Sequence, residues 1–211
     1  MRTVLIANPK GGCGKTTLAT NLAGYFAKRG RHVVLSDMDR QRSATVWLER
    51  RPDALPLIHA LDGSGKHSNS LSADWTIIDS PAGLHGEKLS DLVKRADWVI
   101  VPIQPSAFDI SATEVFLEIL RKEKNVRKER TFVAMVGMRV DSRTLSALKL
   151  QDFLTNVGFP VTTNLRDGQI YKLAAEQGLS LFDMRPSLVN RDMPEWAPLL
   201  WWLTNADRKA K

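Results

Sequence analysis

The chain has a single cysteine, Cys13, among its 211 residues. That scarcity excludes an intrachain disulfide framework and a cysteine-rich metal site. No run of eighteen apolar residues occurs, so no segment reads as a membrane-crossing helix. The opening MRTVLIAN lacks the form of a secretory leader, because its short apolar stretch passes straight into glycines without a cleavage-like site. Internal repeats and low-complexity tracts are missing too. A cytoplasmic globular protein is the expectation. The length suits one sizeable core and not two, so a single domain over residues 1–211 is expected.

The charge is unbalanced. Thirty Lys and Arg stand against 23 Asp and Glu, giving +7 and a sequence pI near 9.7. Such an excess fits a polyanionic partner, either nucleic acid or an acidic membrane surface. It also fits a well-solvated basic face, and charge alone does not choose between them.

Apolar runs alternate with helical patterns along the chain. Strands are predicted at Thr3–Ala7, His32–Ser36, Asp74–Asp79, Asp97–Ile103 and Thr131–Met138. Helices are predicted at Thr16 to about Lys28, and at Ser43–Arg50, His85–Arg95, Ser111–Glu123, Ser142–Asn156 and Gln169–Gln177, with Gly30 closing the first. Continuous apolar strands separated by helices indicate a mostly parallel sheet covered on both faces. The expected fold class is therefore α/β, an open doubly wound sheet. Asp62–Ser72 (DGSGKHSNSLS) reads as a polar surface loop.

The most specific signal lies between the first strand and the first helix: Lys10, Gly11, Gly12, Cys13, Gly14, Lys15, Thr16 and Thr17. Glycines let the backbone turn tightly and bring its N–H groups against phosphate oxygens. The following helix points its positive end at the same oxygens. In a P-loop, Lys15 reaches the β and γ phosphates of ATP and the Thr16 hydroxyl ligates Mg²⁺. The ordinary GxxxxGK[ST] pattern has glycine where this chain has Pro9, and Lys10 follows as a second lysine.

KGGCGKTT resembles the deviant Walker A box of the ParA/MinD family of ATPases. The resemblance implies that Lys10 crosses a homodimer interface to the partner's ATP, so that Lys10, Lys15 and Asp39 are the catalytic set. Asp37-Met38-Asp39-Arg40-Gln41 is similar to the family's A′ segment, with Arg40 in place of the usual proline, and DWTIIDSPAG (74–83), whose strand ends at Asp79, is similar to its Walker B stretch. These carboxylates follow strands of a parallel sheet, where ligands bind near a topological switch. Asp79 is the expected Mg²⁺ carboxylate, acting through water. Asp39 is expected to orient the attacking water and Asp37 to support the Mg²⁺ water network; helix capping by Asp39 and a solvated turn at Asp37 are the alternatives.

The similarity continues through ADWVIVPIQPS (96–106) and LRDGQIYKLAAEQGLSLF (165–182). It implies adenine contacts at Met138, Arg139 and Pro186, to be weighed against packing or turn roles. The P-loop begins at once, with no DNA-reading helix-turn-helix ahead of it, which suggests the compact branch that segregates DNA or positions cargo over the nucleoid. For that branch the resemblance implies nonspecific double-stranded DNA as a partner, an ATP-dependent homodimer, and a ParB-like or cargo adaptor that stimulates hydrolysis. Arg166, Lys172 and Arg191 are the expected DNA contacts, while the basic run from Arg121 to Arg130 is mixed with glutamates and reads as a solvated face. The tail Trp196–Lys211 reads as a last helix with its tryptophans packed inward. The alternatives are a MinD-like membrane helix in that tail and a small metabolic enzyme on the same scaffold.

Overall fold

The computed structural model describes residues 1–62 and 72–205. Its elements are β1 (Arg2–Ile6), α1 (Lys15–Lys28), β2 (Val33–Asp37), α2 (Ser43–Glu49), β3 (Ile58–Asp62), β4 (Trp75–Asp79), α3 (Gly86–Arg95), β5 (Trp98–Ile103) and α4 (Ala107–Lys122). There follow α5 (Lys124–Arg127), β6 (Phe132–Gly137), α6 (Leu145–Asn156), β7 (Val161–Asn164) and α7 (Gln169–Glu176). A 3₁₀ turn (Leu181–Asp183), α8 (Pro186–Val189) and α9 (Met193–Asn205) complete them.

Among the described residues, seven strands form one sheet in the order β3-β2-β4-β1-β5-β6-β7, and every pair is parallel. The chain runs from β1 toward β2 and β3, then returns and continues past β1 to β5, β6 and β7. Right-handed crossovers in opposite directions place their helices on opposite faces. The packing follows that rule. Val4, Ile6, Val33, Leu35, Ile77 and Ile100 meet α1, α2, α7 and α9 on one face, while Leu5, Ala7, Val99, Val101 and Met135 meet α3, α4 and α6 on the other. Alternate residues of one strand serve the two cores, which is why the strands read as unbroken apolar runs.

The five strands and six helices expected from sequence are present, with α4 beginning at Ala107 and α6 at Leu145. β3 and β7 are additional. They are the sheet edges, and β7 (VTTN) has no buried residue; a strand wetted on one side does not carry the apolar run that marks a central one. Residues 63–71 of the expected surface loop lie outside the described residues.

α1 is tied to the 3₁₀ turn. Gly24 sits where a Cβ would lie 2.2 Å from Ser180 Oγ, so this helix needs glycine for close approach. The Asn21 side chain accepts from the Leu181 N–H at 2.8 Å. Arg51 and Asp183, whose side chains are 6% and 0% exposed, pair at 2.9 Å, fastening the end of α2 to the same turn. In α9, Trp196 is fully buried, donates its indole N–H to the Tyr171 hydroxyl at 3.1 Å and packs edge-on against Phe182. Trp202 packs partly against the same core, but Trp201 is 68% exposed. The inward reading of the tail therefore holds for two of its three tryptophans. Pro198 lies inside α9, beyond its first turn. Arg208, Lys209 and Lys211 lie outside the described residues, and no helix among the described residues is long and apolar enough to cross a membrane.

Candidate nucleotide site

Strand register assembles the site. Ile6 of β1 pairs with Asp79 of β4, and Asp79 pairs with Asp37 of β2. The carboxyl ends of three adjacent strands thus stand level, and the loop from Ala7 to Gly14 leaves β1 directly beside both carboxylates. Gly12 and Gly14 have φ of 72° and 102°, values that L side chains rarely adopt. At Gly14 a Cβ would also lie 2.6 Å from Met138 Cε. The loop opens into a cavity of about 270 Å³ lined by Gly11, Gly12, Gly14, Lys15, Thr16, Thr17, Asp39, Gln41, Ser43, Ala82 and Arg139. α1 starts here with no acidic residue in its first turn, so its N-terminal N–H groups face an anion without competition.

The two lysines are treated differently. Lys15 is 6% exposed, and its ammonium donates to the carbonyls of Asn8 at 3.1 Å and Lys10 at 2.7 Å. The Lys10 side chain makes no hydrogen bond or ion pair among the described residues and does not line its own chain's phosphate cavity. Cys13 is buried and gives its thiol hydrogen to the Lys10 carbonyl at 3.3 Å; burial pushes its pKa up, against the pull of Lys15, which marks a packed thiol and not a reactive thiolate.

Thr16 donates its hydroxyl to Asp79 Oδ2 at 2.7 Å. Asp79 Oδ1 is buried with no hydrogen-bond partner among the described residues. Burial, with Asp37 and Asp39 nearby, raises the Asp79 pKa to about 7 against the opposing influence of Thr16 and Lys15. A buried carboxylate oxygen without a partner beside a threonine hydroxyl is a donor set that suits a hard divalent cation. Asp37, in contrast, is fully engaged in the turn: it accepts from the Asp39 N–H at 3.1 Å and from both the N–H and hydroxyl of Thr45 at 2.8 and 3.0 Å. The first turn of α2 is thus capped by Asp37. Asp39 accepts from the Gln41 N–H at 3.0 Å, and its partly exposed carboxylate borders the phosphate cavity.

A second cavity of about 130 Å³ continues from the first across Gly14, Thr17 and Arg139 and is walled by Met138, Leu165, Arg166, Asp167, Gly168, Tyr171, Lys172 and Ala175. Met138 and Arg139 both border this cavity, with Arg139 in the left-handed region at φ 54°. Pro186 does not join them. It opens α8 and lines a separate groove with Tyr25, Lys28 and Arg29, at the far end of α1 and about 20 Å along that helix from the loop.

The expected DNA contacts also separate. Arg166 forms a two-pronged pair with the fully buried Asp192, at 2.9 and 3.0 Å, and its backbone N–H donates to Glu195. Lys172 and Arg191 are exposed. Residues that sequence reasoning did not single out hold the loop: Asn8, Gln104 (donating to the Gly12 carbonyl at 2.6 Å) and Gly83 (donating to the Pro9 carbonyl at 2.9 Å). Their only sequence signal was proximity to the motifs.

The family model for the CobQ/CobB/MinD/ParA nucleotide binding domain matches residues 4–181. Two curated relatives are carboxysome distribution maintenance proteins A. The one from Halothiobacillus neapolitanus is 28% identical over 190 residues, covering 86% of this chain and 87% of the relative. The one from Gloeobacter kilaueensis is 33% identical over 190 residues, covering 87% and 85%. The ATP complex of a Cyanothece McdA variant superposes with TM-score 0.74 at 19% identity, over 94% of this chain and 96% of that one. At that identity the superposition establishes the shared fold. The chain belongs to the CobQ/CobB/MinD/ParA nucleotide-binding family, within its ParA/MinD group of P-loop ATPases.

Proposed function

We propose that this family member hydrolyses ATP as a nucleotide-switched homodimer, binds double-stranded DNA without sequence preference in its ATP state, and positions a cargo over the nucleoid. A protein cargo is the better supported kind, since two relatives matched over most of their length are named for carboxysome distribution. A ParB-like or cargo adaptor would stimulate hydrolysis and release the DNA.

The observation that carries the reading is the contrast between the lysines. Lys15 is held inside its own loop, whereas Lys10 has no hydrogen bond or ion pair among the described residues and does not line its own phosphate cavity. A cation without such a partner, rooted at a phosphate site, suits the phosphates of a second copy. In this reading the loop N–H groups and Lys15 hold the β and γ phosphates, and Asp39 orients a water at the cavity mouth. Lys10 of the other copy stabilises charge on the transferring group, as an arginine finger does. Thr16 would ligate Mg²⁺ directly and Asp79 would hold it through water, with Asp37 supporting the surrounding network from its place in the turn. When bound, Mg²⁺ neutralises phosphate charge. Met138 and Arg139 border the space left for adenine. Pro186 is not carried into this proposal, since it lies at another end of the molecule.

The DNA surface is drawn from Lys172 and Arg191. Arg166 contributes by shape and charge at its edge while paired to Asp192. The test is binding to a nonspecific duplex with ATP, with ADP and without nucleotide, over a salt series, beside anionic liposomes. ATP-dependent DNA binding that weakens steeply with salt supports the proposal. Binding to liposomes alone would replace it with a membrane-associating ATPase that uses the α9 end. ATP turnover with neither would leave a soluble partner or substrate, as in the metabolic members of the fold.

A further inference from the structure

Asn8 lies between β1 and the phosphate loop, and its side chain is 1% exposed. All of its functional atoms are used. Nδ2 donates to the Pro102 carbonyl at the end of β5 at 2.8 Å and to Thr113 Oγ1 in α4 at 3.0 Å. Oδ1 accepts from the Lys10 N–H at 2.9 Å. A carbonyl can only accept, so Pro102 fixes which end of the amide it meets and Oδ1 must turn toward Lys10. Thr113 is fully buried, in the middle of a sixteen-residue helix, and offers a rigid anchor.

Pro9 completes the arrangement. Its ring fixes φ and it has no N–H to misplace, while its carbonyl accepts from Gly83 beyond β4 at 2.9 Å. The backbone leading into Lys10 is thus held from two directions, by β5 and α4 through Asn8 and by the β4 loop through Pro9. The Lys10 side chain beyond that root has no hydrogen bond or ion pair among the described residues. A fixed root under a free cation lowers the ordering cost of a contact made outside the chain.

We propose that Asn8 is a positioning residue for Lys10 and that Thr113 makes α4 part of the same device. The amide sets the height and direction at which Lys10 leaves its own chain. The inference rests on the reading that Lys10 acts across a dimer. It adds that the geometry of this cation is governed from α4, on the sheet face opposite α1.

The test uses the full chain with Mg²⁺ and a non-hydrolysable ATP analogue, and reads dimerisation by analytical ultracentrifugation. Thr113→Val keeps shape and burial but removes the acceptor; Thr113→Ser keeps the hydroxyl. Thr113→Val is expected to weaken nucleotide-induced dimerisation about tenfold, the scale of one lost buried partner. ADP affinity of the monomer, which needs Lys15 and not Lys10, should stay within about twofold, and Thr113→Ser should restore dimerisation. Asn8→Asp, which turns a carboxylate toward the Pro102 carbonyl, should move the same readout further in the same direction. Thr113→Val that dimerises normally, while Lys10→Ala does not, would overturn the positioning role and leave the trans lysine standing. ADP affinity falling in step with dimerisation would overturn it as well, by showing general loop damage. Lys10→Ala that dimerises and turns over like the parent protein would remove the reading beneath it.

Discussion

The phosphate cavity and the base cavity share a wall at Gly14, Thr17 and Arg139, yet they are made by different means. The first is mostly one contiguous loop whose backbone does the work, with side chains added from the segments after β2, β4 and β6. The second is assembled from residues far apart in sequence, Met138 to Arg139 and Leu165 to Ala175, and stiffened by side-chain pairs to α9 and the residue before it: Arg166 with Asp192 and Tyr171 with Trp196. A backbone cradle needs particular residue types at fixed spacing and tolerates little else. A side-chain wall depends on partners that no local spacing reveals.

The largest effect should follow removal of the in-chain cation. Lys15→Gln should weaken ATP binding by about a hundredfold, from loss of charge-assisted hydrogen bonds to phosphate, measured by titration with a fluorescent ATP analogue. The structure of the base cavity should be retained in that variant. A loss of only a few-fold would mean that the loop N–H groups hold the phosphates without the lysine.

On the other side of the comparison, Asp192→Asn should destabilise the protein by about 2 kcal/mol in denaturant unfolding. This is less than a wholly buried pair loses, because the Arg166 side chain is 35% exposed. It should also reduce discrimination between ATP and GTP more than it reduces affinity for the triphosphate. Equal loss for both nucleotides would show that the Arg166 wall does not select the base.

Gly14→Ala tests the shared wall. The positive φ and the 2.6 Å approach to Met138 Cε should together cost about 2 kcal/mol of stability and weaken nucleotide binding. Adding Met138→Ala should recover the steric part and leave the backbone part. Full recovery in the double variant would mean that φ at Gly14 carries no strain.

The smallest effect should be at the rim. Lys172→Glu and Arg191→Glu should each lower ATP-state DNA affinity several-fold and reduce the salt slope by about one, with unfolding shifted by less than about 0.5 kcal/mol. Arg166→Glu is a poorer probe of DNA contact, since it would set a carboxylate against Asp192 and Glu195. An unchanged salt slope in both exposed variants would place the DNA surface elsewhere.

The same division explains what was legible in the sequence. Central strands β1, β2, β4, β5 and β6 were evident because burial on both faces demands continuous apolar residues, and KGGCGKTT because phosphate binding demands glycine, lysine and threonine at set offsets. Edge strands β3 and β7 lacked that demand. Asp37 was placed correctly at the end of β2, but its three hydrogen bonds into the turn and α2 depend on where Thr45 folds back. Arg166 looked like a free surface cation because Asp192 is 26 residues away. Asn8 looked like an ordinary loop residue because its partners, Pro102 and Thr113, arrive from two other elements. Sequence pattern reports what a residue does within its own element; it is silent on what the sheet brings beside it.

The central claim is that Lys10 serves the other copy's nucleotide, and complementation between two inactive variants tests it most directly. Lys10→Ala retains Asp39 but donates no lysine, whereas Asp39→Ala donates Lys10 but does not orient water in its own site. ATP turnover should be near background for each alone. In an equimolar mixture it should recover to at most about a quarter of the parent protein's rate, the value for random assortment, in which half the dimers are mixed and each has one complete site; weaker pairing by Lys10→Ala lowers that figure without abolishing it. Two inactive variants that dimerise with ATP and stay inactive when mixed would contradict the account and confine Lys10 to its own chain.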